Sequence, residues 1–371
     1  MEITQVASPR ELKIFINLPY QIYKKDRTWV PPLRSDLAGQ FDKVKNPFLE
    51  HCEYALFLLW KGNKAVGRIA AFYDTLANDF WHEKVGLFGY YECPADTYAS
   101  KLLLKTAFDW LKGQGMTSMR GPWSFVSQEW GSVIEGFTPS PVVMSPYNPP
   151  FYNDQYDGFG LSKVKDLIVY YIDAMEGYKI PERVLTLTDI VADRYGVRIR
   201  KIDMKKLEEE VNTIMALSNA SLEHNWGYSP VTDAEVRAMA HDLKPVIHPK
   251  AVLFAETNDG KPIGFAIAIP DVNVILKKMN GNLLPFGWLK LLYMLPRLKD
   301  YRMFALGVTP EFQGKAVDSL LYRALYEAIF DPAIYMEINY VLEDNAPMNN
   351  AILKLGAKPL RKYRIFEMPI V

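Results

Sequence analysis

The six residues Gln313-Gly314-Lys315-Ala316-Val317-Asp318 lie between an apolar run that ends at Val308 and an amphipathic stretch that begins near Lys315. A strand, a turn and a helix in that order can make an anion site, because successive backbone N–H groups and the helix N-terminus converge where a phosphate can sit. Bare backbone matters more there than side chains. Gly314 and Lys315 supply open backbone and a positive charge, and Ala316 is small enough to allow close approach. Asp318 brings a negative charge to a place where phosphate would meet repulsion, although a first-turn acid suits the helix dipole and can point off the anion.

Other chemistries find little footing. The five histidines, His51, His82, His224, His241 and His248, are scattered, and none pairs with Cys, Asp or Glu at a metal-ligand spacing, so no metal is expected. No serine nucleophile elbow occurs. Lys plus Arg and Asp plus Glu both number 43, which leaves no global field to draw the chain to nucleic acid. Two cysteines, Cys52 and Cys93, are too few for a disulfide framework. The opening MEITQVASPRELKIF has no apolar signal core, and a cytoplasmic home is the expectation. No run of about 18 apolar residues is present to span a bilayer.

The elements that must position the loop are written twice in the 371 residues. Tyr54–Asp74 reads as two β-rich runs joined by Lys-Gly-Asn-Lys, and Ala251–Pro270 has the same grammar around Asn-Asp-Gly-Lys. An apolar run follows each, at Val85–Cys93 and at Arg302–Val308. Then come helices, at about Asp96–Lys112 and Lys315–Ile329, whose apolar residues are spaced for one buried face. Each half continues with a further strand, a short helix closed by glycine (Tyr152–Asp157 and Pro347–Leu355) and a last strand (Lys165–Asp173 and Arg361–Met368). The period of about 195 residues marks a pair and not a solenoid array. The expected fold is mixed α/β, two α+β mixed-sheet domains covering 1–175 and 176–371, joined near Ala174–Pro181. Helices are also expected around Lys205–Asn219 and Asp233–Leu243.

This layout, with VTPEFQGKAVDSLL after the third strand of the second half, resembles the GNAT superfamily of acyl-CoA-dependent acyltransferases. The superfamily signature is Gln/Arg-x-x-Gly-x-Gly/Ala between strand and helix; Ala316 and Asp318 stand where this chain departs from its glycines. Asn345 with Gly356 eleven residues on matches a second family feature, with Ala357 in place of the usual Phe. At a finer level the chain resembles a bacterial family of tandem GNAT-type N-acyltransferase proteins of about this length. The phrases LPYQIYKKDRTWVPPLRSD, NPFLEHCEYALFL, VGRIAAFYD, GLFGYYEC, YNPPFY, NWGYSPVT and LEDNAPMNN carry that resemblance across essentially the whole chain. Some members of that family are linked to acylating the amine of long-chain lipid bases.

The resemblance implies an N-acyltransferase with acyl-CoA as co-substrate, held by Leu306, Gly307, Val308, the loop from Gln313 to Asp318, and Asn345. Backbone N–H groups at Leu306–Val308 would meet the thioester carbonyl, a form of oxyanion stabilisation. An amine acceptor must lose a proton, and Glu337, Glu343 and Asp344 are the nearest candidate bases, Glu337 first. Asp344 also reads as a helix N-cap. The superfamily's proton-returning tyrosine falls at Ile352, so Tyr363 or Tyr340 would have to replace it, with Tyr363 preferred. The first half has Pro94-Ala-Asp-Thr where the loop should be, an acid and no glycine, so it is expected to complete a substrate groove rather than bind a second acyl-CoA. The segments WVPPL, GPWSFVSQEWG and YNPPFY would be walls of that groove or ordinary core.

Asp271–Arg302 mixes Leu, Met, Trp and Phe with Lys277, Lys278, Lys290, Arg297, Lys299 and Arg302. It reads either as a basic amphipathic element lying on an anionic membrane, the inner membrane, or roofing an acyl chain, or as a packed helix with its basic face in water. The expected function is therefore acyl transfer from acyl-CoA to the amine of a small molecule or lipid. The rival is a non-catalytic ligand- or lipid-binding protein that kept the fold.

Overall fold

The computed structural model describes residues 1–126 and 129–371. In chain order its strands are β1 Glu2–Gln5, β2 Cys52–Lys61, β3 Lys64–Asp74, β4 Val85–Glu92, β5 Ser118–Gly121, β6 Ser132–Glu135, β7 Ser162–Asp173, β8 Val197–Lys201, β9 Val252–Thr257, β10 Pro262–Pro270, β11 Asp300–Val308, β12 Tyr335–Leu342 and β13 Lys358–Pro369. Two compact units result. One holds Met1–Leu167, Ile275–Lys290 and Arg361–Val371; the other holds Ile168–Val274 and Leu291–Leu360.

The division differs from the expected boundary after residue 175. β7 is one uninterrupted strand of 12 residues, and the change of unit falls inside it rather than in the Gly/Lys/Pro stretch that follows. The last strand also belongs to the first unit, because β13 pairs antiparallel with β5 (Phe366↔Gly121) and with β6 (Arg364↔Ser132). Each half does carry the expected order of three strands, helix, strand, helix, strand, but β13 from Arg361 onward closes the first unit and β7 is divided between the two.

In the first unit the strand order is β1-β2-β3-β4-β5-β13, with β6 also beside β13. The alternation of side chains along a strand gives its sheet two apolar faces. Leu59, Ile69, Ala71 and Phe88 pack with Ala99, Leu103 and Ala107 of the helix Thr97–Gly113. Leu58, Ala70 and Phe72 pack with Phe15 and Leu18 of the helix Pro9–Ile22, which starts in a capping box formed by Ser8 and Glu11.

The second unit orders its strands β12-β11-β10-β9-β8. The helix Val317–Ile329 buries Val317, Leu320, Leu321, Leu325 and Ile329 against Ala266, Ala268 and Met303. Five side chains at roughly 1.5–3 kcal/mol each make this the strongest anchor of the loop before it. The helix Asp233–Leu243 lies where expected, begun by a Thr232–Glu235 capping box. The helix Glu182–Tyr195 was not expected. Its buried face is Val184, Thr188 and Val191, too thin an apolar stripe to stand out.

Candidate functional site

β11 and β12 run parallel in register from Asp300↔Tyr335 to Met303↔Ile338. β11 then continues beside β10, where a bulge inserts Phe304: Ile267 faces Ala305 while the next residue, Ala268, faces Met303. The bulge turns β11 and the two parallel strands part. Backbone amides alternate in direction along a strand. Thr309 N–H donates to the Ile263 carbonyl at 2.9 Å, so the Gly307 N–H also points to β10. Those of Leu306 and Val308 point the other way, into the parting. Gln313 Nε2 donates to the Val308 carbonyl at 3.0 Å and ties the loop to the strand end. Glycine at 307 lets the strand lie close to its neighbours, since a Cβ there would come within 2.7 Å of the Phe265 ring and 3.0 Å of Ser221 Oγ and force them to shift.

After a 3-10 turn at Pro310–Phe312 the chain takes left-handed backbone twice, at Gly314 (φ 74°) and at Ala316 (φ 58°), the latter being the residue before the helix Val317–Ile329. Ala316 thus keeps the turn that glycine would make, at a cost of about 1–2 kcal/mol. The space over Gly314 is open, with no heavy atom within 4 Å of a Cβ built there. Among the described residues no acceptor takes the N–H groups of Gly314, Ala316 and Val317. They form a short row of donors at the helix start. Lys315 lies beside them with its Nζ 4.7 Å from the Phe312 ring centroid and 5.5 Å from that of Tyr195.

Asp318 is turned onto the same helix start. Burial pushes its pKa up, and the neighbouring N–H groups of residues 318 and 319 pull it part of the way back. The aspartate therefore brings a negative charge to the helix start that a ligand anion would share.

The remaining sequence candidates are dispersed. Asn345 is the N-cap of the helix Ala346–Lys354, its Oδ1 accepting from Met348 N–H at 3.2 Å; the capping role expected of Asp344 belongs to this residue instead. Glu337 has no exposed surface, stands in register with the equally buried Arg302 and accepts from the Tyr335 hydroxyl at 3.0 Å. It lies one residue before the strands part. Arg302, counted above among surface cations, is a core residue of β11 stacked near Tyr340 and Phe304, with its guanidinium carbon 5.2 and 5.7 Å from their ring centroids. Ile352 is buried with Tyr170, Val341 and Ala357. Tyr363 falls in the first unit, fully buried, with its hydroxyl donating to the Pro146 carbonyl at 3.3 Å. The second unit's fold thus brings together Leu306–Val308 and Gln313–Asp318, and Tyr363 belongs to the first unit.

In the first unit the matching helix start is closed by its own side chain: Asp96 caps Thr97–Gly113, accepting from Ala99 N–H at 2.9 Å. Of the expected groove walls, Trp29, Phe125 and Tyr152 are core residues. Ser127 and Gln128 of the GPWSFVSQEWG segment lie outside the described residues. Among the described residues no group of three or more His, Cys, Asp or Glu is placed to hold a metal ion, and no helix is long and apolar enough to cross a membrane.

A parallel pair that parts at a bulge, followed by a left-handed loop and a helix, is the arrangement of the GNAT fold, and solved structures of that fold align with the whole chain. A tandem GNAT protein from the clavulanic acid biosynthesis pathway is 13% identical with a TM-score of 0.58, over 100% of this chain and 98% of its own. A GCN5-related N-acetyltransferase from Sphaerobacter thermophilus is 12% identical with a TM-score of 0.53, over 99% and 96%. No protein-family model matches the sequence. Two curated proteins do: Protein YghO of Escherichia coli, 32% identical over 97% of this chain and 93% of that one, and the bacterial ceramide synthase of Caulobacter vibrioides, 33% identical over 99% and 97%. The chain belongs to the family that holds these two proteins.

Proposed function

We propose that the protein is an acyl-CoA-dependent N-acyltransferase whose second unit holds the acyl-CoA and whose acceptor is a lipid-like amine. The observation that carries the reading is the parting of β11 and β12 next to a row of N–H donors at a helix start. Those donors suit a pyrophosphate. The N–H groups of Leu306 and Val308 suit a thioester oxygen as negative charge develops on it. In the reaction the amine nitrogen attacks the thioester carbon, the carbon–sulfur bond breaks, the thiolate leaves, and the amine loses one proton. The second unit needs no nucleophilic side chain for this. Glu337, in its buried register with Arg302, is the carboxylate closest along the chain to the parting, and we assign it the receipt of that proton.

The ceramide synthase relative supports the lipid-like acceptor, because a ceramide is a fatty amide of a long-chain amino alcohol. The segment between β10 and β11 supports contact with a lipid surface. It exposes Leu284 (76%), Phe286 (69%), Leu292 (65%) and Tyr293 (65%), with Lys278, Lys290 and Arg297 also exposed. Apolar side chains and cations together fit an anionic bilayer.

The rival reading, a ligand-binding protein without turnover, is favoured by Asp318 on the helix start and by Ile352 in the core. Thermal melting with CoA, acetyl-CoA and palmitoyl-CoA, joined to a turnover assay with a long-chain amino alcohol, separates the two. A ligand at about 100 times its Kd adds about 2.7 kcal/mol. A melt shift with palmitoyl-CoA and amide product is expected, and Gly314→Trp, which projects a ring over the donors, should remove both. A shift without product would favour the rival; no shift with any thioester would end the proposal.

A further inference from the structure

Ile275–Lys290 belongs to the first unit and reads ILKKMNGNLLPFGWLK, with three lysines and no acid. Its base is fixed. Ile275 and Met279 are buried, and the Gly281 carbonyl accepts from Arg34 N–H at 3.2 Å. Gly281 has a φ of 74° and lies so close to its surroundings that a Cβ there would come within 2.6 Å of the Tyr20 ring and 2.8 Å of the Pro32 carbonyl oxygen. Lys277 Nζ donates to Ser140 Oγ at 2.7 Å, and Lys290 Nζ donates to the Lys278 carbonyl at 3.2 Å, which closes residues 278–290 into a loop.

Beyond that base the loop turns apolar side chains to the outside. Leu283, Leu284, Phe286, Trp288 and Leu289 are all exposed, Leu284 and Phe286 most of all. Among the described residues outside the connection from β10 to β11, no other stretch of seven exposes more than two large apolar side chains, so the patch is a local construction. Its shape comes from its own bonds: Trp288 N–H donates to the Leu283 carbonyl at 3.0 Å, and Trp288 Nε1 donates to the Pro285 carbonyl at 2.9 Å. Gly287 is packed inside the turn, where a Cβ would clash with the Asn282 carbonyl oxygen. A tied loop of this kind cannot fold its leucines and rings away from water, and such a patch marks a contact surface.

Whatever covers the patch must also accept Lys277, Lys278 and Lys290, all of them exposed. A second copy of the chain docked through the same face would set these lysines against one another, because a twofold contact brings each patch onto itself. An anionic bilayer meets both needs: its phosphates attract the lysines, and its headgroup boundary admits apolar side chains to a depth of about 5–10 Å. A tryptophan such as Trp288 suits that depth. We propose that residues 283–289 insert into one leaflet of an anionic phospholipid bilayer, with Lys277, Lys278 and Lys290 on the lipid phosphates. This deepens the lipid contact of the proposed function by fixing its ligand and the inserting residues, and it stands without acyl-CoA binding.

The test is sedimentation of the full chain, without acyl-CoA, with vesicles of phosphatidylcholine alone and of equimolar phosphatidylcholine and phosphatidylglycerol. The charged vesicles should bind at least about tenfold tighter. Leu284→Ser combined with Phe286→Ser changes two exposed side chains, so the melting temperature should hold while binding falls about tenfold. Lys278→Gln should weaken binding to the charged vesicles about threefold, and Gly314→Trp should leave it unchanged. Equal binding to both vesicles, binding to neither, or parental binding in the Leu284/Phe286 or Lys278 variant would overturn the proposal. So would a dimer in solution that the Leu284/Phe286 variant dissociates, since a second copy would then cover the patch. Vesicle binding that persists where no thioester shifts the melt would end the acyl-CoA reading alone; a palmitoyl-CoA melt shift without vesicle binding would end this one alone.

Discussion

Replacing Asp318 with Asn removes one charge and keeps an acceptor of the same shape. The N–H groups of residues 318 and 319 act on the carboxylate, and the open donors belong to 314, 316 and 317. An anion on those donors would therefore sit about two hydrogen-bond lengths away, roughly 5–6 Å, where two unit charges at an effective dielectric near 20 repel by about 3 kcal/mol. Asp318 is only half-buried, and salt screening cuts this to about 1–2 kcal/mol, or roughly 5- to 30-fold in Kd. Titration of the purified variant with palmitoyl-CoA at neutral pH should thus give tighter binding than the parent. The unliganded protein supplies a control with a definite sign. The folded-state pKa of Asp318 is raised above the ordinary value of 3.8, so the penalty for its charge is absent below that value and grows as pH rises through the folded pKa. The variant should melt no lower than the parent at pH 7. Unchanged or weaker thioester binding would refute the view that the loop donors hold a phosphate.

Substitutions at two further positions probe the backbone and the ion pairs. At Ala316, with φ of 58°, glycine relieves about 1–2 kcal/mol of left-handed strain and loses about 0.5–1 kcal/mol to chain entropy, whereas valine adds strain; melting temperatures should rank Gly, then Ala, then Val, and the opposite order would disprove the turn. Asp166 is nearly buried and accepts from Arg364 at 2.8 and 3.0 Å; burial raises its pKa, but Arg364 and Lys163 outweigh that and hold it below the usual aspartate value. Its contribution is present above pH 4 and is lost as pH falls through the lowered pKa, so Asp166→Asn should cost about 2 kcal/mol at pH 7 and almost nothing near pH 2 in denaturant melts. A cost independent of pH would contradict the pairing.

Much of this architecture is legible in the residues. The two hairpins announce themselves through Gly62 and Gly260, both with positive φ, between β-rich runs, and the Gln313–Asp318 loop follows from strand, turn and helix periodicity. Local pattern could not reveal the destination of the last strand, because β-pairing depends on partners far apart in sequence. One buried pair is also signalled in the sequence: Arg68 in VGRIAAFYD and Glu92 in GYYEC are charges inside apolar runs, and a charge on a strand buried on both faces needs a partner. Their cross-strand register, Arg68↔Glu92, supplies it. The conflict at Asp318 is visible as a residue type; the burial of its carboxylate is not.

The place of β13 also bears on how the protein is made. The first unit receives Arg361–Val371 only after the whole second unit has been synthesised. At about 5–20 residues per second, the interval between Leu167 and Arg361 is roughly 10–40 s. During that time the nascent chain carries β5 with one side unpaired, and an open strand edge invites pairing with other chains. Translation therefore cannot deliver the two units one after the other; the first remains incomplete until Arg361–Val371 has been made.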